Sequence, residues 1–256
     1  MVKLSISEKS LIAIKDWFSE YVETFKQGEK NIQENIRLKE DHTMRVCKEI
    51  LTVGRQLGLD DDEMRLAEII ALLHDVGRFE QFARYRTFND GKSENHAELG
   101  IRIIEKGGVL DQLDDNIKEL VIKPISYANQ VSRPENEDET CLFYARLLRD
   151  ADKLDIWKIV TDYYHREDGK KNTGLELELP DTPGFSERVG DDLRNKRSVH
   201  FKNIRNLNDF KLLQAGWIFD INYKPSLDLV RERRYLEKIR AALPQSKAID
   251  EIFPSV

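Results

Sequence analysis

The sequence predicts an all-α protein, and three observations carry that prediction. Apolar residues recur at three- and four-residue intervals in almost every patterned stretch, as they do along one face of a helix. No stretch shows the strict alternation of a half-buried strand. Charged residues make up 34% of the chain against a usual quarter, which suits amphipathic helices with wide solvated faces. The 256 residues remain enough to bury a substantial core.

The elements follow in order. Ser5 and Glu8 form a capping-box pattern ahead of Leu11, Ile14, Phe18 and Val22, so a first helix ends near Gly28. A second runs from about Ile32 to Leu57, with Gly58 as its C-terminal cap and with Ile36, His42, Val46, Ile50 and Val53 on its inward stripe. Asp60 and Glu63 open a third that carries Ile69 to Leu73 into His74-Asp75, where Gly77 offers a stop or bend. An aromatic and arginine-rich stretch, Phe79 to Phe88, precedes a turn at Asn89-Asp90-Gly91.

Further helices are predicted from near Ser93 to Gly107, from Asp114 to Asn129 with a kink or break at Pro124, and from Thr140 to Tyr164. The tract from Ser132 to Glu139 reads as a loop, Glu167 to Gly190 as a long irregular excursion, and Asn203 to Leu243 as helical again. One helical domain spanning 1–256 is the simplest account, with a motif-bearing core over about 32–165 and a C-terminal helical extension over about 191–256.

The net charge of −6 argues against stable nucleic-acid binding and leaves a local cationic pocket to attract any phosphorylated partner. Cys47 and Cys141 lie far apart in apolar helical patterns, which points to buried free thiols rather than a disulfide or a cysteine-rich metal site. The N-terminus lacks an apolar signal core, and the apolar run at Ile69 to Leu73 is too short to cross a bilayer, so a cytoplasmic location is expected.

Chemistry concentrates in a few residues. An acidic residue beside an imidazole at the end of a buried helix, as in His74-Asp75, is costly unless a cation compensates it. A divalent metal would, because imidazole nitrogen and carboxylate oxygen both suit it. Considered alone, the pair could equally be a satisfied buried pair. His42 from the preceding helix and an aspartate from Arg149-Asp150-Ala151-Asp152-Lys153-Leu154-Asp155 could complete a set of two nitrogens and two oxygens. Asp150 faces nearly the opposite side of that helix from Asp152, whereas Asp155 lies on a similar face.

The order His42, then His-Asp-Val-Gly-Arg from His74 to Arg78, then Arg-Asp-Ala-Asp-Lys-Leu-Asp ending at Asp155, resembles the HD superfamily of metal-dependent phosphohydrolases over about Ile32 to Asp155. The resemblance implies an HD-type helical bundle with added N- and C-terminal helices. It also implies that His42, His74, Asp75 and Asp152 are the metal ligands, which makes Asp155 an outer partner or cap. The implied cofactor is one divalent ion, with Mn, Fe, Co, Ni, Zn and Mg as candidates. Some family members hold a second ion with two further histidines. His96 matches the first of these, while Ala128-Asn129 stands where the second belongs, so a mononuclear centre is expected.

The implied substrate is a small phosphate ester or a nucleotide. Asp75 is the first choice to orient or deprotonate a metal-bound water. His96 and Arg78 would act on the phosphoryl group, and Arg78, Arg84, Arg86, His96 and Lys153 are the candidate substrate contacts, arginine being suited to phosphate by its planar fork. His165 and His200 read as surface residues, and so does the basic run Arg231 to Arg234. The rival is a non-catalytic sensor that keeps the fold and the metal to bind a nucleotide or a partner. The added helices leave room for a homodimer.

Overall fold

Every helix and strand assignment among the described residues is helical, so the fold is all-α. The computed structural model describes residues 4–127, 137–166 and 173–253. They fall into two compact units, Met1–Asp152 and Lys153–Val256.

The first unit contains α1 (Glu8–Glu23), α2 (Lys30–Leu57), α3 (Asp61–Leu73), α4 (Gly77–Tyr85), α5 (His96–Lys106), α6 (Asp115–Tyr127) and the beginning of α7 (Glu139–Tyr164). The cap of α1 is Ser7 rather than Ser5, its hydroxyl accepting from the Ser10 N–H at 3.0 Å. Asp60 and Glu63 do form a reciprocal capping box at the start of α3. Gly58 ends α2 in the left-handed conformation that the turn into α3 requires.

The centre of this unit is α3. Leu66, Ala67 and every residue from Ile69 to Leu73 are buried, because α1, α2 and α6 pack around the helix. A helix covered on all sides carries apolar residues on all sides, which accounts for a run too dense to show a clean stripe. Then α4 packs on α2 and α5, and Phe79 closes an aromatic cluster with Phe18, Tyr21 and Phe25.

Pro124 does not break α6, which continues to Tyr127. So close to the helix end, the missing N–H removes little of the ladder, and Pro124 is itself buried.

The second unit holds the C-terminal part of α7, then α8 (Thr173–Glu176), α9 (Glu187–Arg194), α10 (Leu207–Gly216), α11 (Lys224–Glu232), α12 (Tyr235–Ala241) and α13 (Lys247–Ile252). The predicted helical stretch from Asn203 to Leu243 is thus broken into pieces. A 3-10 turn at Trp217–Asp220 follows Gly216, Pro225 opens α11, and Arg234 enters α12 with φ 56°. The core of this unit is built on Trp157, which is fully buried, stacks on Tyr235 and donates its indole N–H to the Gln214 carbonyl at 2.9 Å. Cys47 and Cys141 are buried free thiols.

Candidate metal centre

Four elements of the first unit bring polar side chains to one place. The buried end of α3 delivers His74 and Asp75 through a tight turn, in which the Val76 and Arg78 N–H groups donate back to the Leu73 and Asp75 carbonyls. Val76 and Phe79, which follow the pair in the chain, are fully buried like the end of α3 before it, so the His-Asp pair is anchored on both sides along the chain. His42 comes from the inward stripe of α2 and is 5% exposed. Asp152 comes from α7 and keeps 35% of its side chain exposed, which makes it the member nearest to solvent.

His96, the first residue of α5, reaches the same place because α4 and α5 start in contact. A Cβ on Gly77 would lie 2.1 Å from the His96 carbonyl oxygen and 2.7 Å from the Gly100 nitrogen. Only glycine permits that approach, and this gives Gly77 its place in the motif.

One ligand atom each from His42, His74 and Asp152 lie within 4.8 Å of one another. His42 Nε2 is 3.1 Å and His74 Nε2 4.0 Å from Asp152 Oδ1. Asp75 Oδ2 is 3.7 Å from both imidazole Nε2 atoms. Donors that share one ion at bonds of about 2.0–2.2 Å stand about 3–4 Å apart, so these spacings fit.

The orientation of His74 fits too. Its Nδ1 lies 2.7 Å from the Ala71 carbonyl, which only an N–H can satisfy, so Nε2 presents its lone pair to the cluster. That Nε2 is buried and has no hydrogen-bond partner. A buried polar atom without a partner is unfavourable by about 1–3 kcal/mol, and a cation among these donors would relieve it.

The charges are arranged to keep the carboxylates ionised. Burial alone would raise the Asp75 pKa, but Lys39 first, then His74, Arg78 and His96, hold it well below the usual carboxylate range. Lys39 Nζ is 2.8 Å from Asp75 Oδ2, and Arg78 Nε is 3.6 Å from Oδ1. Burial likewise opposes ionisation of Asp152, and the hydrogen bond and charge of His42 outweigh it.

The other predicted contacts are placed differently. Arg78 donates through Nη1 to Asp90, to Gln81 and to the Phe88 carbonyl, so its guanidinium ties down the loop after α4. Arg84 is 58% exposed and pairs with Glu80, and Arg86 donates to the Phe82 and Ala83 carbonyls. Neither therefore touches the His/Asp cluster. Lys153 belongs to the second unit, where its ammonium is bonded to Asp220. Asp150 and Asp155 are both fully buried. His165 and His200 are exposed. Ala128 and Asn129 lie outside the described residues.

Three contributors escaped the sequence reading. Lys39 sits one helical turn before His42 on the same face, a spacing that was legible in principle. Asp90 was absorbed into an Asn-Asp-Gly turn, but its carboxylate turns inward to His96 Nδ1 at 2.8 Å. Gln81 is fully buried, donating to Asp90, Ser93 and the Glu94 carbonyl.

The HD domain family model matches residues 40–157. That stretch of the chain is an HD domain. The matched stretch begins just before His42 and ends just beyond Asp152, so it encloses every residue of the His/Asp cluster. Comparisons with curated proteins and with solved structures give no match. HD domains are a superfamily of metal-dependent phosphohydrolases, and in this HD domain His42, His74 and Asp152 form a group able to hold an ion. No helix among the described residues is long and apolar enough to cross a membrane.

Proposed function

We propose that this HD domain is a metal-dependent phosphohydrolase acting on a small phosphate ester or nucleotide, with His42, His74, Asp75 and Asp152 holding one divalent ion. The observation that carries this reading is the buried Nε2 of His74, which has no partner and belongs to a group of three ligand atoms within 4.8 Å. When bound, the ion supplies a Lewis acid that acidifies water and polarises a phosphoryl oxygen.

The residues supply the rest. Asp75, held ionised, orients the attacking water as an acceptor. His96 and Arg78 border the other oxygen of Asp75, at 3.3 Å and 3.6 Å, and His96 is assigned to the reacting groups. Arg78 keeps Asp75 and the Phe88–Asp90 segment in place. The cluster edge at Asp152 is open to solvent, which gives a substrate access to the ion.

The test is turnover of p-nitrophenyl phosphate, bis-p-nitrophenyl phosphate and a panel of nucleoside mono- and triphosphates after reconstitution with Mn, Co, Ni, Zn or Mg. Metal-dependent release of phosphate or alcohol from at least one of them is expected. Metal binding with no turnover across the panel would leave the sensor.

The cationic partner of a substrate phosphate falls to Lys39, which is 20% exposed and lies against both Asp75 and the Phe88 ring. Lys39→Met should weaken inhibition by inorganic phosphate about fivefold, equivalent to the ~1 kcal/mol of a partly exposed ion pair. It should also tighten divalent metal binding, because a competing cation beside Asp75 has gone. Calorimetry checks both, and weaker metal binding would place Lys39 among the supports of the metal site instead.

A further inference from the structure

Two lines of contact lead from Asp75 to Phe88. Arg78 Nε stands 3.6 Å from Asp75 Oδ1, and Nη1 of the same guanidinium donates to the Phe88 carbonyl at 2.6 Å. Lys39 Nζ stands 2.8 Å from Asp75 Oδ2 and 5.4 Å from the centroid of the Phe88 ring. One lysine ammonium therefore separates the face of this ring from a carboxylate of the His/Asp cluster.

The ring is not placed as a core anchor. Phe79 and Phe82 are buried, whereas Phe88 is partly exposed and carries a charged group over its face. The segment is also held without it, by Arg78 on the Phe88 backbone and by the buried Gln81, which donates to Asp90 and Ser93 just beyond. Phe82 backs the ring, with 4.7 Å between centroids and 32° between planes. Backbone and ring are thus both fixed before anything binds, so little ordering cost remains for a ligand that uses them.

We propose that Phe88 is a specificity-determining residue: its ring is the wall on which a flat aromatic group of the substrate stacks, so that nucleoside phosphates are favoured over alkyl phosphates. The proposal takes from the reading above only that the substrate phosphate lies beside Asp75. Lys39 then turns its ammonium from the ring to that phosphate, and the face it covered becomes free. A second aromatic ring covers this face better than an alkyl chain, because aromatic pairs gain attraction beyond the area they bury. Every nucleobase has such a face, so stacking selects for a base without choosing among bases.

The probes are the methylenephosphonate analogues of adenosine and uridine monophosphate, and the same phosphonate on ribose alone, none of which can be hydrolysed. Calorimetry on manganese-supplemented protein is expected to show both nucleoside analogues binding about tenfold more tightly than the ribose analogue, within the range for one stacked base. Phe88→Leu, which keeps an apolar contact for Phe82, should bring the three within about twofold of one another. Metal content and the affinity for the ribose analogue should change little, and Phe88→Trp should keep the preference.

A ring that merely supports Lys39 would weaken all three analogues together in Phe88→Leu and leave their ratio at about tenfold, which overturns the proposal. So does wild-type protein that binds the three alike or binds none, whether or not the variants fold. If the preference is found and Phe88→Leu removes it, but no phosphorylated compound is hydrolysed, the hydrolase reading fails and the wall stands. Turnover without the preference leaves the hydrolase and removes the wall.

Discussion

Asp152→Ala is expected to abolish both metal binding and turnover, and it is the largest effect we anticipate. Wild-type protein should carry about one divalent ion per chain, as a single site of two imidazoles and two carboxylates implies. Loss of an outer-sphere partner typically reduces metal affinity about 10–100-fold, and loss of a direct ligand should exceed that. Asp152 Oδ1 is 3.1 Å from His42 Nε2 and 4.0 Å from His74 Nε2, so its removal opens the cluster on the side that faces solvent.

The control is Asp150→Asn. Two residues along a helix is a rotation of about 200°, so Asp150 cannot share the face of Asp152. Asp150 is fully buried, and exchanging its carboxylate for an amide should lower thermal stability while leaving the ion in place. Elemental analysis and the rise in Tm on adding metal report binding without reference to activity, because a ligand that binds only the folded state stabilises it. Metal stripped by Asp150→Asn but retained by Asp152→Ala would reverse the ligand assignment. Two ions per wild-type chain would overturn the mononuclear expectation.

How much of this was legible in the sequence depended on whether a residue's role was local. The buried end of α3 announced itself, since five consecutive apolar residues, Ile69 to Leu73, running into an adjacent histidine and aspartate have few physical explanations. Capping at Asp60 and Gly58 was equally local, written in residues within one turn of each other. The boundary of α1 shifted by two residues because Ser5 and Ser7 offer the same chemistry, and only the Ile6 bond to Asp62 helps to settle which one caps. Arg84 and Arg86 show what residue type alone leaves out. Composition nominated them as phosphate binders, but Arg84 had an i,i+4 partner in Glu80, which a helical reading of Phe79 to Phe88 would have revealed. Asp90 was hidden because a turn motif explains an aspartate by its backbone, whereas here the side chain crosses to α5. The contact depends on the Gly77–Gly100 approach, which no spacing within either segment records.

That same approach makes His96 the second large effect. His96→Ala is expected to retain the metal and to lower kcat by about 10²–10⁴, the range of a group that assists proton movement in the transition state. The ring is 4% exposed, and burial pushes its pKa down against the pull of Asp90, so the neutral form predominates at neutral pH. It stands outside the proposed ligand set of His42, His74, Asp75 and Asp152, which is why the ion should remain. Asp90 would keep Arg78 and Gln81 as donors in the variant, so the loop after α4 should hold and Tm should change little. A contact that strengthens as the bond breaks raises kcat more than it tightens the ground state. Inhibition by inorganic phosphate should therefore weaken far less than the rate falls. Steady-state kinetics with phosphate inhibition and metal analysis on one preparation decides between outcomes. Near-normal kcat would make His96 a bystander, and parallel loss of metal and rate would make it a ligand.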